Sequence, residues 1–172
     1  MAPTVLDGVA TNETTTLRWV EDIADPTAID LSTEYNAATS VPLECLLTEQ
    51  FNPDASVTTA ELRRMCSNEV RQRPGAVTRT IADLVGVYDP QDLSAPVSKA
   101  YVALAPGAEG YLVVRRGIHV DTPAADGDVV DVYKVQISYR TKIQAADNDE
   151  HQFRAGITVQ NYWEDVVIGG ES

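Results

Sequence analysis

Two long alternating runs near the C-terminal end constrain this chain more than any other feature. Residues 129–142, VVDVYKVQISYRTK, place Val129, Tyr133, Val135, Ile137 and Tyr139 on one side, with Asp131 as the polar exception. Lys134, Gln136, Ser138 and Arg140 fall on the other side. Residues 153–163 repeat the design, with Phe153, Ile157 and Val159 against Arg154, Thr158 and Gln160. A period of two belongs to strands with one packed face and one wet face, the habit of antiparallel sheets. The polar link AADNDEHQ between the two runs reads as an exposed hairpin tip. The rest of the chain must therefore assemble around a long antiparallel pair.

Other segments supply further strand. Residues 15–20 form a first strand with Leu17 and Trp19 or Val20 turned inward, and residues 111–116 form another, closed by Gly117. Residues 61–73 start as a helical turn and pass into the alternating MCSNEVRQR. Pro74-Gly75 reads as a tight turn into a β run over 76–88, making a hairpin. Residues 21–39 are acidic and loop-like, with an extended piece around 29–31, while 43–47 fit a strand or a helical turn equally. Residues 48–59, TEQFNPDASVTT, carry turn chemistry at Asn52-Pro53-Asp54 and no apolar face, so they read as a long connecting loop.

One helix is expected, over about residues 94–105. Asp89-Pro90 breaks the preceding run, Ser94 can cap the first turn and Pro96 sits where a missing N–H costs little. Val97, Ala100, Tyr101 and Leu104 make one apolar stripe, Ser98 and Lys99 the polar face, and Ala105-Pro106-Gly107 stops the helix. The expected class is mainly β (α+β): an antiparallel β-sandwich or barrel with one flanking helix. A single domain spans 1–172, with an N-terminal arm at 1–13 and a C-terminal tail at 166–172.

Charge narrows the partners. The chain carries a formal net charge of −13 and a pI near 4.4. DNA binding is driven by Lys and Arg neutralising phosphates, so such a protein repels nucleic acid on average, and anionic membranes too. MAPTVLDGVA lacks the basic start and apolar core of a signal peptide. No run approaches the roughly 18 apolar residues of a membrane span. Cys45 and Cys66 follow no motif spacing and read as free, partly buried thiols.

A search for chemistry finds no set of catalytic parts. His119 and His151 sit beside loops with no nucleophile motif near them and read as surface residues. No glycine-rich phosphate loop follows a strand and no nucleophile elbow is present. The expectation is no enzyme and no cofactor. Asp126, Asp128 and Asp131 form one acidic cluster, and Asp147, Asp149 and Glu150 another. Both are weak calcium candidates, because neither follows the twelve-residue loop pattern, and both read as solvated turns. Arg115-Arg116 reads as an ion-pairing strand end.

The order of several segments carries a resemblance. MCSNEVRQRPGAVTRTI, VYDPQD, a short helix, EGYLVVRRG and GDVVDVYKVQ, over roughly residues 43–143, resemble the major tail proteins of long-tailed (siphovirus-type) bacteriophages of actinobacteria. The resemblance implies a subunit that forms hexameric rings stacked as a hollow tail tube, the conduit for DNA ejection. It implies a place in the virion tail after assembly in the host cytoplasm. The implied partners are other copies of the chain, tail terminator and tail tip proteins, and a tape measure protein and genomic DNA in the lumen, without specific DNA binding or a membrane. By position, residues 48–59 would be the inter-ring contact loop, with Glu49, Phe51, Asn52, Pro53 and Asp54 at its centre, helped by the terminal arms. Part of the negative charge would line the lumen. The rival readings are a tail terminator, a capsid decoration protein, or a calcium-dependent binding module.

Overall fold

The long C-terminal pair is present and forms the spine of the molecule. A computed structural model describes residues 13–144, 146 and 149–169. In chain order its strands are β1 (Thr15–Val20), β2 (Val41–Pro42), β3 (Pro53–Arg64), β4 (Ser67–Ile81), β5 (Leu84–Val87), β6 (Glu109–Arg116), β7 (Val129–Ile143) and β8 (Gln152–Val167). One short helix, α1 (Lys99–Ala103), lies between β5 and β6. Six strands join in the order β2-β1-β6-β7-β8-β5, every neighbour antiparallel. That sheet curls into a half-barrel, while β3 and β4 form a separate two-stranded ribbon. The mainly β antiparallel class with one flanking helix is the architecture observed.

The sheet buries both faces at its centre, where the alternation suggested one. Leu112 and Val114 of β6 join Tyr133, Val135 and Ile137 of β7 on the first face, packed with Leu17, Trp19, Leu43, Tyr101, Leu104 and Phe153. Tyr111, Val113, Val130 and Val132 occupy the opposite face with Ile23, Ile29, Tyr35, Val166 and Ile168. Val129, expected inward, is exposed at the start of β7. Tyr139, also expected inward, is exposed because the register shift between Ile137 and Tyr139 turns it off the first face, where Arg140 instead lies over the Tyr101 ring. The second core exists because residues 21–36 fold back over it. Their acids do local work: Asp30 caps a π-helical turn (Leu31–Tyr35) by accepting from the Ser32 and Thr33 amides at 2.8 and 2.7 Å. Glu34 accepts from the Ala24 and Asp30 amides. The bonds from the Thr33 amide and the Ser32 hydroxyl and amide hold the Asp30 carboxyl down at about 2.

The flanking helix is shorter than expected. A 3₁₀ turn (Pro96–Ser98) runs into α1, and Ser94 caps neither; its hydroxyl donates to Asp92. Ser98, expected on a wet face, is fully buried, accepting from the Asp89 amide and donating to the Asp92 carbonyl. The apolar stripe does its job: Tyr101 stacks on Tyr88 at 4.5 Å and meets Phe153 edge-on at 5.2 Å. The proposed tail at 166–172 begins too early, since Val166 and Ile168 lie in the second core. Residues 170–172 and the arm at 1–12 lie outside the described residues.

The ribbon overturns three further expectations. Strand begins at Pro53, inside the segment read as a loop, and residues 61–64 continue it without a helical turn. The chain reverses at Met65-Cys66, not at Pro74-Gly75. Pro74 pairs with Thr59 beside a register shift, so Pro-Gly marks a bulge inside β4. A Cβ on Gly75 would lie 2.7 Å from Thr58 Oγ1, so the close strand crossing there requires glycine. Cys45 and Cys66 are both free, and both are exposed rather than partly buried.

Candidate functional site

The acidic clusters examined for metal have other occupations. Asp128 pairs with Arg115, itself 2 % exposed, at 2.9 Å, and its carboxylate also accepts from the Ala125 amide. Asp131 pairs with Arg116 and accepts from the Asp165 amide. Arg115 therefore locks the 121–128 loop to the sheet, donating also to the Thr122 carbonyl, while Arg116 ties β6 to β7, so the doublet is the ion-pairing strand end that its sequence suggested. Asp126 is not joined to these two in a ligand set: among the described residues no three His, Cys, Asp or Glu side chains gather around a possible ion. Asp149 is described, with its carboxylate accepting from the Glu150 amide, whereas Asp147 lies outside the described residues. His119 is half exposed between Glu13 and Asp121, and His151 is exposed beside Tyr88.

The feature left without an internal role is the ribbon. Its strands alternate, yet both faces are open to solvent. Val57, Leu62, Met65, Val70 and Val77 are five of the ten large apolar side chains exposed among the described residues. Val57 and Leu62 are five positions apart on one strand, so they point to opposite faces. The ribbon's charge is also opposite to that of the body. Residues 53–81 hold five of the thirteen basic residues and three of the twenty-six acidic ones, a net +2, which leaves −15 elsewhere.

The root of the ribbon is firmly held. Ile81 lies in the first core, Ala82 N donates to the Asn52 carbonyl, and Pro53 and Asp54 pair with Ile81 and Thr80. Arg79 bridges to Glu164 at 3.2 Å and lies over the Tyr162 ring at 3.3 Å, fastening β4 to β8. Phe51 packs edge-on against Tyr133 at 5.6 Å. Of the residues placed at the centre of a contact loop, Phe51, Asn52 and Pro53 thus build the root, while Glu49 and Asp54 are exposed beside it. The signal missed in the sequence was the Pro-Gly pair, whose turn chemistry concealed a continuous strand.

Beside the root opens a cleft of about 450 Å³ lined by Glu13, Leu17, Glu44, Leu47, Glu49 and Phe51, with Arg116 at its edge. Glu44 Oε2 is enclosed there without a hydrogen-bond donor. At the far side of the sheet, β5 covers β8 only from Gln152 to Ala155, so most of that edge of β8 has no strand partner among the described residues. No helix among the described residues is long and apolar enough to cross a membrane.

A family model described as phage tail tube protein matches residues 1–170. The chain belongs to the phage tail tube protein family. No curated protein sequence matches it directly. As a tail tube protein it is a structural component of the virion tail, with a non-enzymatic role and self-association as its business. The exposed ribbon and the open strand edge are both surfaces that the single chain leaves unpaired among the described residues.

Proposed function

We propose that the protein forms hexameric rings that stack into the hollow tail tube of a long-tailed, siphovirus-type phage with an actinobacterial host, through which DNA is ejected. The observation that carries this reading is the ribbon. A two-stranded ribbon with apolar residues on both faces is marginal in water and gains its stability by inserting between other surfaces. The family match supports the same reading. Within a ring, the open edge of β8 pairs with a neighbouring subunit, removing an edge that would otherwise aggregate. Between rings, the ribbon makes the contact assigned from sequence to Glu49, Phe51, Asn52, Pro53 and Asp54: Phe51, Asn52 and Pro53 serve at its root, Glu49 and Asp54 lie beside it, and the strands beyond supply the contact surface. The residues that follow Ile168 and the arm at 1–13 add to the stacking contact.

Part of the body's net −15 lines the lumen, where phosphates must slide without counterion-releasing contacts. Other copies, a tape measure protein, genomic DNA, the terminator and the tip proteins are the partners, assembled in the host cytoplasm. Negative-stain microscopy of concentrated protein tests the proposal: hollow tubes or stacked rings are expected. A strict monomer in the presence of tail initiator and tape measure proteins would overturn it, and single rings that never stack would favour a terminator. Replacing residues 61–72 by Asn-Gly closes a shortened hairpin on the Ala60–Arg73 pair. That variant should fold and fail to stack; normal tubes from it would remove the ribbon from the mechanism.

A further inference from the structure

We propose that the tip of one copy's ribbon docks in the cleft between Glu13 and residues 44–51 of a second copy. The inference rests on the tail tube reading and names the receptor that the ribbon meets. The tip presents Met65, which is fully exposed, with Leu62 and Val70 behind it. Around them stand Arg63, Arg71 and Arg73, all exposed. Arg71 and Arg73 have no carboxylate partner among the described residues, and Arg63 has only a solvent-exposed pair with Glu61 at 3.5 Å.

The cleft is the complement of that tip. Leu17, Leu47 and Phe51 give it apolar walls, and Glu13, Glu44 and Glu49 give it negative charge. Its one lining cation, Arg116, is already paired with Asp131. Glu44 lines the cleft half-buried and has no cation partner among the described residues, so a guanidinium entering the cleft would meet an unpaired carboxylate. An unbranched methionine adapts to an irregular apolar pocket of this kind, and about 450 Å³ accommodates it together with parts of its neighbours.

The occupant must be another copy. The cleft adjoins the root of the chain's own ribbon, through Phe51, and a twelve-residue strand carries the tip away by about 40 Å. Donor and receptor therefore lie on different parts of one chain. Such a contact is head-to-tail and does not close on itself when subunits stack, so it propagates into a filament.

The two native cysteines report on this contact directly. Cys66 lies beside Met65 at the tip, and Cys45 is the sequence neighbour of cleft-lining Glu44, outside the lining itself but within reach of a short linker; both thiols are exposed, and the chain has no others. A short bis-maleimide applied to assembled tubes should give a ladder of linked chains containing a Cys45–Cys66 cross-linked peptide. The ladder should vanish in Cys45→Ser and in Cys66→Ser. Tubes that form yet yield no such peptide overturn the docking site while leaving the tail tube reading intact; a protein that never forms tubes overturns the reading itself. If residues 1–12 of the same chain cover the cleft instead, Cys45 will react with maleimide equally fast in monomer and tube, and the proposal falls. As a second test, Glu44→Arg with Glu49→Arg should abolish stacking of monomers whose circular dichroism is unchanged. Arg63→Glu with Arg71→Glu, added to those changes, should restore tubes; no rescue from folded protein counts against the site.

Discussion

The curled sheet and the ribbon are built from the same material, antiparallel strands of alternating residues, but they treat their apolar side chains in opposite ways. In the sheet, Leu112, Val113, Val132 and Val135 are wholly buried, because α1 and residues 43–51 cover one face and residues 21–36 cover the other. In the ribbon, Val57 and Val77 face each other across the strands and remain about half exposed. Apolar burial at roughly 25 cal/mol per Å² stabilises the sheet within one chain. The ribbon forgoes that gain in the single chain, and under the proposed stacking it would recover it between copies. The body is a finished fold and the ribbon an unfinished one.

Substitutions should separate the two regions cleanly. Trp19 is 1 % exposed, and Gly110 has no side chain because a Cβ there would lie 2.6 Å from the indole. Trp19→Ala should cost about 3–5 kcal/mol, read as a lower urea midpoint. Asp128→Ala would strand the buried Arg115 and should cost about 3 kcal/mol by the same measurement. Arg79→Ala acts at the junction: a loss of roughly 1 kcal/mol is expected, with faster hydrogen exchange in β3 and β4 but not in β6 and β7. Leu62→Ser and Met65→Ser should move monomer stability by no more than about 0.5 kcal/mol and yet prevent stacking. A large stability loss from either would mean that the ribbon is already packed in the monomer.

The smallest effects concern pH. Asp30 has its carboxyl lowered to about 2 by the Thr33 amide and the Ser32 hydroxyl. Its contribution is present above the unfolded carboxylate value and is lost as pH falls through about 2. Asp30→Asn should flatten that part of the acid unfolding curve. Tyr139 donates to Asp83 at 2.6 Å, which raises its phenol. That contribution is complete below the ordinary value of 10 and fades as pH rises past it, visible as late tyrosinate absorbance.

Much of the body was legible in the residues. The period of two over 129–142 and 153–163 announced the spine, residues 15–20 marked the first strand to its exact ends, and the Val97, Ala100, Tyr101 and Leu104 stripe located the helix. Local pattern suffices there because each element's own side chains decide which face is buried. The pairing of Arg115 with Asp128 was partly legible too, as a basic doublet near an acidic loop.

The tertiary structure decided what local pattern cannot express. Residues 21–36 have no periodic face, so only their packing over Tyr111, Val113 and Val132 shows that the sheet has a second core. Pro74-Gly75 has the chemistry of a turn, and only the pairing with Thr58 and Thr59 makes it a bulge in a longer strand. That single difference moved the hairpin tip to Met65-Cys66 and turned an apparent connecting loop into the root of an exposed ribbon. Composition by itself set a net charge of −13; the fold placed +2 of opposite sign on the ribbon, where it can meet the acids of a neighbouring copy.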